Sequence, residues 1–402
     1  MFSAHHGSLA ALASPARPAA GPSAGRLEFK LAHDRALMVL VACASISCAG
    51  APPPWSPPDG TVPPGAVVVL GIDGLDRQML ERMMDAGELP AFSRLTEEGV
   101  TADLRVDQPI LSPRIWTTLA SGYGAGTHGI VDWVRRDGSP YRASDIRTKR
   151  VWDVASEAQR TVLVAGWLMT TPVNPVHGVM LSDELVLRGS LDMSRGLTPG
   201  RDPAVEQSWL LSPAERWDDV QHWIPERRWA EDHALGWQVA EYGELLHPLL
   251  RDETQVRAFE ASVGELQPQL SMLYLSGADQ LAHQYWPFSD PAGVRAMQGD
   301  PGMRQRSAEA LLQQFQGKRR LPLSAQSTTA DDLEEGARWM ATYMVYLDSL
   351  LSRVMQRVDP HNATLIVCSD HGFQTRVQQN QLVTDHESPA VLLAWGADVR
   401  TD

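Results

Sequence analysis

The chain has 402 residues, 43% hydrophobic and 21% charged, which is enough apolar content for one large domain or two ordinary ones. Its formal net charge of −14 argues against an electrostatic hold on a nucleic acid duplex or on anionic lipid. A small anionic substrate stays open, because a bound metal reverses the local field. The three cysteines, at 43, 48 and 368, form no Cys-x-x-Cys pair and argue against a thiolate zinc site or a disulfide framework.

Residues 1–65 differ from the rest. Residues 1–30 are rich in Ala, Pro, Ser and Gly, a composition that does not bury a core. Lys30 and Arg35 then precede an apolar run, 36–43, in the pattern of an export signal. The run is shorter than the ~20 residues that span a bilayer. Leu40-Val41-Ala42-Cys43 resembles a bacterial lipoprotein cleavage box, with Cys43 as the lipidated residue, and an ordinary cleaved signal is the alternative. The expected location is therefore exported: periplasmic, or membrane-anchored through Cys43. Residues 51–64 read as a Pro-rich tether.

The run 66–72 is continuously apolar, as in a strand buried on both faces, and ends at Asp73-Gly74. Asp76 suits the cap of a helix reaching Met84, and Pro90 starts another. Residues 101–106 alternate like an outer strand. Pro113 suits the first position of a helix and puts Ser112 at its N-cap. A helix over 151–158 and a buried strand over 161–165 follow. From about 184 to 268 tryptophans and charges mix, including Trp209, Trp217, Trp223, Trp229 and Trp237, which reads as an inserted helix-rich cap. The strand 269–275 ends at Ser276-Gly277-Ala278-Asp279. Residues 288–330 read as an excursion of loops and short helices. An amphipathic helix over 333–358 stops at Asp359-Pro360. The run 365–368, with Cys368 as a small core residue, leads into Asp370-His371-Gly372, and 389–395 is the last strand.

Strands alternating with helices give an α/β fold with a mostly parallel central sheet, two core parts (66–183 and 269–402) and the cap between them. Ligands bind such sheets at the carboxyl ends of the strands, where Asp73, Asp279, Asp370 and His371 all fall. Asp279 and His283 are four apart, so one helical turn puts them on one face. With Ser112 and His386 they make a set of three carboxylates, three imidazoles and a hydroxyl. Oxygen and nitrogen donors without thiolate suit catalytic zinc, with manganese or iron as alternatives. His128 and His177 read as structural, and Trp286-Pro287 as packing.

Six ordered stretches carry a resemblance: VVVLGIDGLD at 67–76, LSPRIWTTLASGYGAGTHGI at 111–130, 151–183, LYLSGADQLAHQYW at 273–286, LIVCSDHGF at 365–373 and DHESPAVLLAWG at 385–396. Together they resemble the alkaline phosphatase superfamily, and within it the type I phosphodiesterase / nucleotide pyrophosphatase branch. The cap has no counterpart. The resemblance implies a flanked, mostly parallel sheet and a centre for two divalent ions, zinc favoured. It implies that Asp73, Asp370, His371 and the nucleophile Ser112 hold one ion, and Asp279, His283 and His386 the other. It implies a phosphoseryl intermediate resolved by water, with Arg114 as a clamp on a substrate oxygen. The expected substrate is a small phosphate ester such as a nucleotide or phospholipid headgroup, a diester favoured over a monoester. A headgroup hydrolase or transferase is a variant of that reading. A sulfatase is disfavoured because Ser112-Pro113-Arg114 is out of register for its Cys/Ser-x-Pro-x-Arg motif. A metal-dependent phosphoglycerate mutase lacks its nucleophile motif here. A non-catalytic binder on a degenerate fold would have lost a ligand, and none is missing. The family core continues past its last histidine ligand with a further strand and helix, whereas 16 residues follow His386. A fragment or an uncovered sheet edge is expected from that.

Overall fold

The computed structural model describes residues 60–187, 190–191, 246–300, 302–303, 306–307 and 330–400. The leader with Cys43, the Pro-rich tether up to 59, the cap segment 192–245 with its five tryptophans, and 308–329 of the expected excursion lie outside them.

Among the described residues the central sheet has seven strands. In chain order they are β1 (Val67–Ile72), β2 (Val100–Leu104), β3 (Val162–Ala165), β4 (Gly178–Leu181), β7 (Leu270–Leu275), β8 (Thr364–Cys368) and β11 (Ala390–Gly396). The short β5 (Val186–Leu187) and β6 (Ser190–Leu191) pair apart from it, as do β9 (Gly372–Gln378) and β10 (Gln381–Glu387). The sheet order is β2-β11-β8-β1-β7-β3-β4. The five strands from β8 to β4 are parallel, and β11 runs antiparallel to both β8 and β2. The sheet is thus mixed and mostly parallel, as the sequence led one to expect. The last strand is not left open, because β2 covers its outer side.

Side chains of the central strands alternate between two apolar layers. Val68, Leu70, Ile72, Leu273 and Leu275 enter one cluster, and Met272, Tyr274, Val162 and Val164 the other. The first layer is closed by α1 (Arg77–Asp85), α2 (Pro90–Glu98), α6 (Leu246–Glu265), α7 (Gly277–Ser289) and α9 (Ala330–Gln356). The second is closed by α3 (Ser112–Ser121) and α5 (Val151–Glu157), with α4 (Ala125–His128) beside α3. A further helix, α8 (Pro291–Gly299), occupies part of the range expected to be an excursion. Helix α6 falls within the range read as cap, yet Leu249, Leu250, Val256 and Phe259 are buried in the core beside the sheet.

Helix starts follow their caps. Asp76 accepts from Met79 N at 2.8 Å and caps α1 as its residue type suggests. Ser112 differs from expectation. It is the first residue of α3, and Leu111 takes the extended cap position, because the Leu111 carbonyl accepts the first helical bonds from Arg114 N and Ile115 N. The Ser112 hydroxyl is therefore not spent on capping.

Candidate metal centre

Register places the centre. Ile72 pairs with Leu275, and Gly71 with Cys368, so β1, β7 and β8 end level with one another. Asp73 follows β1, Asp279 lies in the first turn of α7 after β7, and Asp370-His371 follow β8. The Asp279 N–H donates to the Asp73 carbonyl at 3.1 Å, which locks the two loops. His386 returns on the β9–β10 hairpin, where it pairs with Phe373 and its ring stacks on His371 at 3.7 Å between centroids.

The donor atoms converge. His371 Nε2 lies 3.3 Å from Asp73 Oδ1, 3.5 Å from Asp370 Oδ2 and 3.6 Å from Asp279 Oδ1. Asp279 Oδ1 is 3.3 Å from His283 Nε2 and 3.7 Å from His386 Nε2. The two imidazole nitrogens are 3.2 Å apart. Among the described residues, two groups could each hold an ion, Asp73–Asp279–His371 and Asp279–His283–His386, with all ligand atoms of a group within 4.8 Å of one another. Asp279 stands in both.

The residues fit a metal. Asp73 Oδ1, Asp279 Oδ1, Asp370 Oδ2 and His371 Nε2 are buried without a hydrogen-bond partner. Buried polar atoms are normally paired, and four unpaired donors in one cluster are a lining that a cation would satisfy. In Asp370, His371 and the neighbouring His386 the second polar atom is held. Asp370 Oδ1 accepts from Gly74 N at 3.3 Å, His371 Nδ1 faces the Gly372 carbonyl at 3.1 Å, and His386 Nδ1 faces the Ile110 carbonyl at 3.3 Å. Such contacts aim the free atom of each ligand.

The charges in the cluster act strongly on one another. Burial pushes Asp370 well above the usual carboxylate range, and the charge of Asp73 adds to it. Burial would also lower His371, but Asp370, Asp73 and Asp279 outweigh it and hold the imidazole up at about 10. That cation in turn keeps Asp73 below its ordinary value against the upward push of burial. Burial, then His371, pushes His386 down to about 4, a neutral ring suited to ligation.

Ser112 is buried at the start of α3, two residues after the Ile110 carbonyl that faces His386. One turn on, Trp116 Nε1 donates to Asp73 Oδ2 at 3.2 Å. The nucleophile candidate is thus bracketed by two bonds to the ligand set. Arg114 donates to the Gln108 carbonyl at 2.8 Å and lines a cavity of about 180 Å³ with Leu104, Val106, Ile115 and Leu119. His128 is structural: Nδ1 accepts from Ile130 N at 3.1 Å, so Nε2 carries the proton toward Thr118 Oγ1 at 3.0 Å. His177 donates through its backbone to Ser156 Oγ, and Trp286 packs against Phe373.

The sequence reading missed Tyr274, whose hydroxyl donates to Asp73 Oδ2, and Ser369, whose Oγ accepts from Leu75 N and donates to the His371 carbonyl. It also missed Phe373, whose ring contacts His283, His371 and His386 edge-on. Their only signal was adjacency to a candidate ligand in space or sequence.

The sequence profile of the family described as type I phosphodiesterase / nucleotide pyrophosphatase matches residues 67–390. No curated protein sequence matches. Among solved structures, phosphonoacetate hydrolase from Sinorhizobium meliloti 1021 in complex with phosphonoformate is 16% identical, with 81% of this chain and 62% of that one covered and a TM-score of 0.47. Murine ectonucleotide pyrophosphatase / phosphodiesterase 5, inactive and in complex with AMP, is 14% identical over 80% of this chain and 59% of that one, at 0.39. Wild-type alkaline phosphatase PafA is 12% identical over 79% and 65%, at 0.48. The chain spans less than two thirds of the length of each of these proteins.

Proposed function

This chain belongs to the type I phosphodiesterase / nucleotide pyrophosphatase family, and from that premise we propose that it is a metal-dependent phosphoesterase with Ser112 as its nucleophile. The observation that carries the reading is the cluster of four unpartnered donor atoms beside the N-terminus of α3. In this reading Asp73, Asp370, His371 and Ser112 hold one divalent ion, and Asp279, His283 and His386 a second, zinc being favoured by the donor set. Two such ions supply Lewis-acid stabilisation of the entering and leaving oxygens of an in-line displacement.

The chain's own groups do the rest. Ser112 Oγ forms a bond to phosphorus as the bond to the leaving-group oxygen breaks, and the leaving group departs with a proton. The dipole at the start of α3 favours the negative charge of the phosphoryl oxygens. Water then cleaves the phosphoseryl ester and restores the hydroxyl. The substrate class we favour is a small phosphate ester, such as a nucleotide or a phospholipid headgroup, with a diester favoured over a monoester in keeping with the family.

The test is turnover of bis-p-nitrophenyl phosphate and p-nitrophenyl phosphate by zinc-loaded protein, with Ser112→Ala alongside. We expect the diester to turn over faster and Ser112→Ala to lose about 10³-fold or more, since removal of a nucleophile dominates the rate. A monoester preference would move the substrate class. Full activity in Ser112→Ala would overturn the nucleophile.

A further inference from the structure

Asp73 offers the centre one carboxylate oxygen and is gripped by the other. Its Oδ2 accepts from Trp116 Nε1 at 3.2 Å and from the Tyr274 hydroxyl, while Oδ1 has no partner and faces His371 Nε2. Neither donor is itself a ligand candidate. Both are buried, and they hold each other: the Trp116 and Tyr274 rings meet edge-on at 5.1 Å. Trp167 meets Trp116 edge-on at 5.1 Å and donates through Nε1 to the Trp116 carbonyl at 3.3 Å. Strand β1 makes room for the indole. A Cβ at Gly71 would lie 2.6 Å from the Trp116 ring, two residues before Asp73. A tryptophan that only filled space would not need its one polar atom on the carboxylate.

We infer that Trp116 and Tyr274 are positioning residues that hold Asp73 by Oδ2 so that Oδ1 alone faces the metal, and that Trp116 thereby ties the Ser112 helix to the same carboxylate. The inference rests on the two-ion reading above. A carboxylate with both oxygens free turns about its own bonds and can chelate with both. Two donors on one oxygen fix its rotamer and leave a single ligating atom. Groups that orient a ligand in this way typically change metal affinity about 10- to 100-fold when removed.

The test is titration with cobalt(II), whose visible absorption reports coordination, on the full chain and on Tyr274→Phe and Trp116→Phe. The wild-type protein should take up two ions. In Tyr274→Phe one ion should bind about 10- to 100-fold more weakly and with an altered spectrum. The ion at Asp279, His283 and His386 should keep its affinity. Trp116→Phe should show the same selective loss. Tyr274→Phe removes a hydroxyl only, so it carries the test by itself if the buried indole proves necessary for folding. Two ions bound to Tyr274→Phe with wild-type affinity and spectrum would overturn the inference, whatever the change in melting temperature. A wild-type protein that takes up no cobalt would overturn the two-ion reading itself, and the inference with it.

Discussion

At the scale of single residues, the proposed ligands divide by burial. Asp370 and His371 are fully buried, whereas the His283 side chain is 45% exposed at the mouth of the centre. Removing His283 leaves no core cavity, so His283→Ala should melt within about 1 kcal/mol of the wild type when both are metal-free. It should nevertheless lose one of two ions and at least about 100-fold in turnover, measured by elemental analysis beside the ester assay. A His283→Ala protein that keeps both ions would remove that ligand from the set. Strand ends point to Asp73, Asp370 and His371, and spacing to Asp279 and His283, but nothing in the sequence around His386 shows that it turns back to this edge. What the residues did not announce was their grouping. Asp279 lies within reach of both groups, a fact of side-chain direction that spacing does not encode.

At the scale of elements, the loops and helix starts that carry ligands are fixed from outside. Gly74 has φ +68°, and a Cβ there would meet Phe373 at 2.6 Å and Asp279 Cα at 2.9 Å. Gly74→Ala should cost about 1–3 kcal/mol from the left-handed backbone and push the Asp279 turn away from Asp73. Chemical denaturation and metal titration of the variant check both effects.

Helix α7 is anchored by Asp252 of α6, whose carboxylate accepts from Ser276 N at 3.0 Å, Gly277 N at 3.1 Å and the Tyr343 hydroxyl of α9. Burial outweighs these bonds and pushes Asp252 up to about 6 from 3.8. The folded state therefore holds its proton more tightly than the unfolded one. Stability is fully retained below the unfolded value and falls as pH rises toward 6. Asp252→Asn lacks that titration. Its deficit against the wild type should shrink between pH 4 and pH 7 by on the order of 3 kcal/mol, as read by urea denaturation. A constant deficit would contradict the assignment.

Most of these elements were readable from apolar runs and punctuation. The β9–β10 hairpin was not. Its turn residues Gln379 and Asn380 adopt φ of 49° and 60°, a conformation usually advertised by Asn-Gly or Asp-Gly. Yet this hairpin is what carries His386 to the centre.

At the scale of the whole molecule, the sheet order explains why one edge gathers ligands from positions 73, 279 and 370. β1 lies at the middle, with β7 and β8 on its two sides. Chain order alone could suggest parallel strands, but not that β2 would pair with β11, since that contact depends on the packing of α2 against the sheet. The range read as cap reached too far: α6 buries Asp252, Glu253, Arg257 and Glu260 beside its apolar side chains, and that charged sequence hid a core helix.

The central claim is that this edge is a centre for two metal ions. The most direct measurement is the metal content of the purified full chain after equilibration with zinc and removal of free ion, by elemental mass spectrometry against protein concentration. The account predicts two ions per chain, falling to fewer when the Asp73–Asp279–His371 group is broken by Asp73→Ala. Protein shown to be folded that retains no ion would contradict it.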